Sequence, residues 1–262
     1  MRNQIKLFDV ELYRKADPEV VDLVLTTAGL AGFQIAAQPE WTYWADRKLS
    51  DFSWNPRFKM QYYMERRPGF EFIFLAHHVM HFFSRAPVHQ GGFAKTVLLG
   101  ENFACNLDGY FAARLVQTYG ASTTQRRFKH QYPFTMMTAN ARRCGVSYGR
   151  LLARLNSCDP FELYKELVGA THQRQLMFRA AGDAVLKPSK AGRTRKSFPP
   201  TSPLPYCLIA NFDYELHNRF TDFNEGRVAG PRDRNCAKEL AMNLRRSRTM
   251  PEFLRRLGAS QR

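Results

Sequence analysis

The sequence predicts a mainly α-helical protein: a compact multi-helix domain, then a basic, proline-rich linker or loop, then further helices at the C-terminus. Three observations carry that prediction. Apolar residues recur at helical spacing in most segments, and none alternates with the period of two that marks a half-buried strand. Asp-Pro occurs at Asp17-Pro18 and again at Asp159-Pro160, each ahead of such a run, which is the cap-then-proline form of a helix start. Hydrophobic residues make up 44% and aromatics 13% of the 262 residues, enough apolar surface to offset the backbone entropy of folding.

Element by element, the first helix is expected from Asp17, with Val20, Val21, Val24, Leu25 and Ala28 on its apolar face and Gly29 and Gly32 at its stop. From Trp41 to Arg67 the chain turns aromatic and polar, punctuated by Asn55-Pro56 and Pro68-Gly69. That stretch predicts a loop and then a short helix near 57–66, its aromatics packed on the core. Phe70 to Ser84 is an apolar run that periodicity assigns to either helix or strand, and its length and Pro87 favour helix. After the turn "VHQGG", Val97, Leu98, Phe103, Leu107, Phe111, Leu115 and Val116 predict a helix over 95–119 that Gly120 stops. Further helices are predicted over 134–143, ending near Gly145, around 147–156, and from 160 to 181. Residues 186–205 hold five prolines and five Lys or Arg with no acid, so they cannot hold a helix and read as an exposed linker or basic loop. The organisation expected is therefore a helical core domain over 1–185, the linker over 186–205, and basic C-terminal helices over 206–262 packed on the core. There, Ala237, Leu240, Ala241 and Leu244 make a stripe that must dock on something.

Charge and cysteine usage narrow the function classes. The net charge is +16, a field that attracts nucleic acid, an anionic surface or an acidic protein, although a basic proteome alone would also produce it. Three basic elements stand out: 125–132, 186–198 and 245–256. In the first, "QRRFKHQY", Arg126, Arg127, Lys129 and His130 interleave with Phe128 and Tyr132, a mixture that suits phosphate contact with base stacking; the plainer reading is a solvated helix start or turn. A nucleic-acid or acidic protein partner is expected through these elements. The longest greasy stretches are interrupted by Asp22 and by histidines, so no membrane span is predicted, and the N-terminus lacks the apolar block of an export signal. Five scattered cysteines without a C-x-x-C pair suit a reducing compartment, which makes the cytoplasm the expected location. There is no phosphate-binding glycine loop, no G-x-S-x-G elbow and no calcium-loop motif.

The chemistry concentrates in "FLAHHVMHFF", residues 74–83, which holds three of the seven histidines. On a helix, His77 and His81 lie one turn apart and His78 flanks them, and two imidazoles at that spacing are a common way to offer two nitrogens to one metal ion. In the following segment Glu101 and Asp108 are seven residues apart with Cys105 between them. On the predicted helix they therefore share a face, and carboxylates on an otherwise apolar stripe are costly to bury without a cation or a metal. A further pair, Asp213 and His217, shares a helical face in "NFDYELHNRF".

The histidine run and Glu101 resemble, over a short stretch, the thermolysin-like metallopeptidases called gluzincins, whose pattern is His-Glu-x-x-His on one helix and a ligand Glu on a following one. Here "HHVMH" is followed by Glu101 twenty residues after His81. The resemblance implies His77, His81 and Glu101 as zinc ligands. This sequence departs from the family at two positions. The general-base Glu after the first ligand is His78, whose imidazole has a suitable unperturbed pKa but gains a proton poorly beside a divalent cation. The Asp those enzymes often carry four residues past the ligand Glu is Cys105, leaving Asp108 to orient a ligand histidine. Two His and one carboxylate also describe the facial triad of non-haem iron oxygenases, so Fe2+ or Mn2+ stand as alternatives to Zn2+. The function expected is a metal-dependent enzyme of hydrolase type acting on an unknown substrate. The alternative is a nucleic-acid-associated or scaffold protein in which the histidines are structural and bond to Glu71, Glu101 or Asp108.

Overall fold

Two helices meet at Asp17: α1 (Val10–Ala16) and α2 (Pro18–Leu30). The Asp17 N–H donates to the Tyr13 carbonyl at 2.8 Å and closes α1, while its Oδ1 accepts from the Val20 N–H at 3.3 Å and caps α2. Pro18 fills the first position of α2, where a missing N–H costs nothing. The sequence predicts α2 but not α1. Nor does it predict the two three-residue strands that flank the pair, β1 (Gln4–Lys6) and β2 (Gln34–Ala36), which run parallel with Gln4 opposite Gln34. Strands this short are below the reach of a period-two pattern, and the two helices supply the long crossover that a parallel pair requires.

This computed structural model describes residues 4–6, 10–30, 34–36, 71–83, 103–104, 106–143, 145–181, 208 and 231–259, and these are mainly α-helical. The helices that follow α2 are α3 (Glu71–Phe83), α4 (Leu107–Tyr119), the single turn α5 (Ala121–Thr123), a π-helical turn (Thr124–Phe128), α6 (Phe134–Arg143), α7 (Tyr148–Ser157), α8 (Pro160–Ala181), α9 (Pro231–Arg246) and α10 (Met250–Ala259). The predicted bounds of α6 and α8 match, those of α7 lie one residue further along than predicted, and the apolar run from Phe70 resolves to helix. The helix near 57–66, the linker at 186–205 and the Asp213–His217 pair lie outside the described residues.

The helix expected over 95–119 is a correction. Phe103 and Ala104 are helical, but Asn106 stands in a turn ahead of α4, and the segment before Phe103 lies outside the described residues. Asn106 is fully buried, and its carbonyl accepts from the Gly109 N–H at 3.2 Å in a tighter, three-residue loop.

α4 is the central rod. It is buried on nearly every side and contacts α1, α3, α7 and α8, which is why its sequence is apolar around most of its circumference. Gly109 is needed there: a Cβ at that position would collide with the Leu167 side chain of α8. On one flank, Tyr13, Phe72 and Phe111 tie α1, α3 and α4 in a triangle of rings with centroids 5.1 to 5.4 Å apart. On another, Phe253 of α10 sits 6.0 to 6.5 Å from the rings of Phe103, Phe161 and Tyr164. The predicted stripe on α9 docks, with Leu240 and Leu244 buried and Ala241 packed against the core. Among the described residues no helix is long and apolar enough to cross a membrane.

Candidate functional site

α3 carries the histidine run, so its geometry decides what those residues can do. Phe72, Ile73, Leu75, Ala76, Val79 and Met80 are all buried. At about 100° per residue they occupy an arc of roughly 160°. Positions 77, 78 and 81 fall on the remaining arc, with 77 and 81 only about 40° apart. His77 is half-buried at the margin of the core. The residues of α3 whose burial is described thus form an apolar arc, with His77 at its margin.

On α4, Asp108 is 1% exposed and its Oδ2 accepts a hydrogen bond from the Tyr132 phenol. It also lies in the first turn of α4, where the helix dipole favours an anion. Asn106 stands in a turn between the helical pair Phe103–Ala104 and α4, and the placement of Glu101 relative to Asp108 lies outside the described residues. Of the five predicted site residues, the side chains of His77 and Asp108 are described, and those of His78, His81 and Glu101 lie outside the described residues. Among the described residues no group of three or more His, Cys, Asp or Glu side chains is arranged to hold a metal ion.

A polar assembly that sequence reasoning missed lies beside α4. Asp17, 5% exposed, accepts a hydrogen bond from the Tyr110 phenol and faces Arg114 Nε at 3.0 Å through the same Oδ2. Burial, reinforced by the Asp17 carboxylate, holds Tyr110 ionisation far above the ordinary phenol range. The signal was present in the sequence as Tyr110 and Arg114 one turn apart on an otherwise apolar helix, but nothing in the sequence pointed their polar ends to Asp17.

The basic segment at 125–132 needs a correction. Phe128 is 6% exposed and packs edge-on against Tyr119 at 5.1 Å, and Tyr132 is 1% exposed with its phenol committed to Asp108. Neither ring is available to stack on a base, because both are needed to close the core below α5. The cations of the segment are exposed: Arg126, Arg127 and Lys129, with Arg142 at the end of α6 and Arg150 at the start of α7. None of these five forms an ion pair among the described residues.

A shallow cavity of about 480 Å³ lies between α7 and α8, lined by Arg154, Cys158, Asp159, Glu162, Lys165 and Glu166. Its charges are already committed. Arg154 pairs with Glu166, Lys165 with Glu162 at 2.8 Å, and Asp159 caps α8 through the N–H groups of Phe161 and Glu162 at 2.8 Å each. Burial pushes the Cys158 thiol up, away from the reactive thiolate.

No protein-family model, curated protein or solved structure matches this chain. The likeness to gluzincins therefore rests on the residues quoted for it.

Proposed function

We propose that this chain is a metal-dependent enzyme of hydrolase type, its ion held by His77, His81 and Glu101. Zinc is the first choice, with iron or manganese as alternatives that the same ligand types accept. The supporting observation is the helix α3: residues 71–83 are helical, and positions 77 and 81 fall one turn apart on the arc that the buried apolar residues leave over. Histidines needed only to fill the core would share the buried arc. Glu101 comes from the segment that leads into α4, so the ligand set draws on two parts of the chain. An ion bound with one position open would supply Lewis acidity to a substrate oxygen or to water. His78, on the same arc of α3, lines that open position and contributes a nitrogen to the substrate side.

Metal content tests this directly. The full chain, purified without chelator and then equilibrated with zinc, iron(II) or manganese(II), is expected to retain about one ion, as a three-ligand site requires. His81→Ala and Glu101→Gln are expected to lose it while circular dichroism stays helical. A wild-type chain that retains none of the three metals overturns the proposal.

A second reading is favoured by a separate observation, the exposed cations. Arg245 and Arg246 at the end of α9 and Arg248 in the bend before α10 are exposed, as are the five around α5 to α7. Such a surface supports association with nucleic acid, or with an acidic protein, through charge. Binding that weakens steeply with salt is its signature.

A further inference from the structure

We propose that the corner built by α5, the π-helical turn, α6 and α7 is a docking surface for the phosphate backbone of duplex nucleic acid. The inference rests on the second reading above, and gives it a location and a form of partner.

The first support is segregation of charge along the chain. Between Asp108 and Asp159 there is no Asp or Glu, while Arg114, Arg126, Arg127, Lys129, Arg142, Arg143, Arg150 and Arg154 all fall in that interval. Folding then sorts these cations. Arg114 is tied to Asp17 and Arg154 to Glu166, so two are consumed internally. Arg126, Arg127, Lys129, Arg142 and Arg150 remain exposed and outside any ion pair among the described residues. The elements that bear them touch one another: α7 contacts both α5 and α6, and α5 contacts the π-helical turn. Gly145, with φ of 69°, reverses the chain between α6 and α7 and so brings Arg142 and Arg150 to neighbouring helix ends.

The second support is what the corner lacks, which decides among polyanions. Single strands are gripped by bases stacking on exposed aromatic rings, and Phe128 and Tyr132 are both buried. Anionic membranes also attract cations, but stable seating on a bilayer adds apolar side chains that insert between headgroups, and protein partners are commonly anchored by apolar or aromatic side chains at the interface centre. The described large hydrophobic side chain that is exposed is Met242, on α9 and outside the corner. Exposed guanidinium and ammonium groups, with no exposed large apolar side chain at the corner among the described residues, match a lattice of phosphates, with which Arg pairs through two N–H groups at once. Recognition of this kind fixes position and carries no base sequence.

The experiment measures binding of the full chain to a short fluorescent duplex, as DNA and as RNA, to a single strand of the same length, and to vesicles of anionic lipid, between about 50 and 200 mM salt. The expected result is duplex binding stronger than single-strand or vesicle binding. The variant carrying Arg126→Gln, Arg127→Gln, Lys129→Gln, Arg142→Gln and Arg150→Gln should bind at least about a hundredfold more weakly, with a salt slope shallower by about four to five, since each lost phosphate contact removes close to one from it. If that variant does not fold, Arg126→Gln with Arg127→Gln is read instead and should reduce the slope by about two. Unchanged binding in the folded corner variant, with loss on Arg245→Gln, Arg246→Gln and Arg248→Gln, overturns the corner and leaves the second reading standing. Equal or better binding to single strands or vesicles also overturns it. A wild-type chain that binds no nucleic acid at any salt overturns both.

Discussion

Along α4 and in the corner that follows it, ionisable groups are used in opposite ways. Within α4, Asp108 is tied to Tyr132 and Arg114 to Asp17, and Asp17 additionally caps α2 and receives the Tyr110 phenol. Beyond Gly120, five cations stand in solvent without an internal counterion among the described residues. The difference follows from desolvation. A charge beside the core must find a partner or cost several kcal/mol, whereas a charge in water needs none and remains available to something outside. Charge along α4 is therefore structural, and charge at the corner is left to the solvent.

The largest effect should come from breaking the tied end of this contrast. Asp17→Ala removes a helix cap, leaves the buried Tyr110 hydroxyl without its acceptor, and strips Arg114 of its counterion. The cap contributes about 1 kcal/mol and the stranded hydroxyl about 1 to 3 kcal/mol, so a total near 3 kcal/mol is expected in urea unfolding. Asp17→Asn keeps one acceptor oxygen, enough for the cap at Val20 or for the Tyr110 phenol but not for both, and should fall between the variant and the parent. A loss below about 1 kcal/mol for Asp17→Ala would show that the three contacts are not a unit.

The same contrast explains what could be read in advance. Helices α6, α7 and α8 were legible because their signals are local: apolar spacing, the Asp159-Pro160 start and the Gly145 stop each act within a few residues. The strands β1 and β2 were not, since three residues carry no period and the pairing joins Ile5 to Ile35 across two helices. The histidines were visible as a cluster, and α3 gives them the one-turn spacing. Their position on the arc away from the buried residues depends on which side of α3 meets α1, α2 and α4, a tertiary fact. Whether Phe128 and Tyr132 stack on a base or pack inward stays open in the sequence for the same reason. A ring beside arginines has the same sequence pattern whether it faces a nucleic acid or closes a core, and here the chain turns both inward. Asp17 was legible as a cap from its proline, while its ties to Tyr110 and Arg114 span more than ninety residues.

A pair of tyrosines sharpens the comparison at smaller scale. The Tyr110 hydroxyl donates to Asp17, whereas the Tyr148 hydroxyl is buried with no hydrogen-bond partner among the described residues. Tyr110→Phe should destabilise by about 1 to 2 kcal/mol, and Tyr148→Phe should be neutral or stabilise by up to about 1 kcal/mol, because it deletes an unsatisfied polar group. Alkaline pH gives an independent readout. Burial pushes Tyr148 up to about 12, above the value of about 10 for an unfolded tyrosine. Above pH 10 the unfolded chain gives up protons that the folded chain keeps, so this contribution is complete below pH 10 and is lost as pH rises through about 12. Tyr148→Phe should therefore flatten the fall in stability over that window, and an unchanged slope would place the effect elsewhere.

The smallest effect belongs to the untied end. Replacing Arg126 and Arg127 by Gln removes two like charges from adjacent exposed positions and disturbs one cation–ring contact, that of Arg127 over Phe128 at 6.0 Å. Relief of repulsion and loss of that contact oppose each other, so thermal unfolding should move by no more than about 0.5 kcal/mol. A much larger loss would mean that these side chains hold the π-helical turn onto the core. The difference between corner and α4 would then be one of degree, and charge left in solvent could no longer be read as charge kept for a partner.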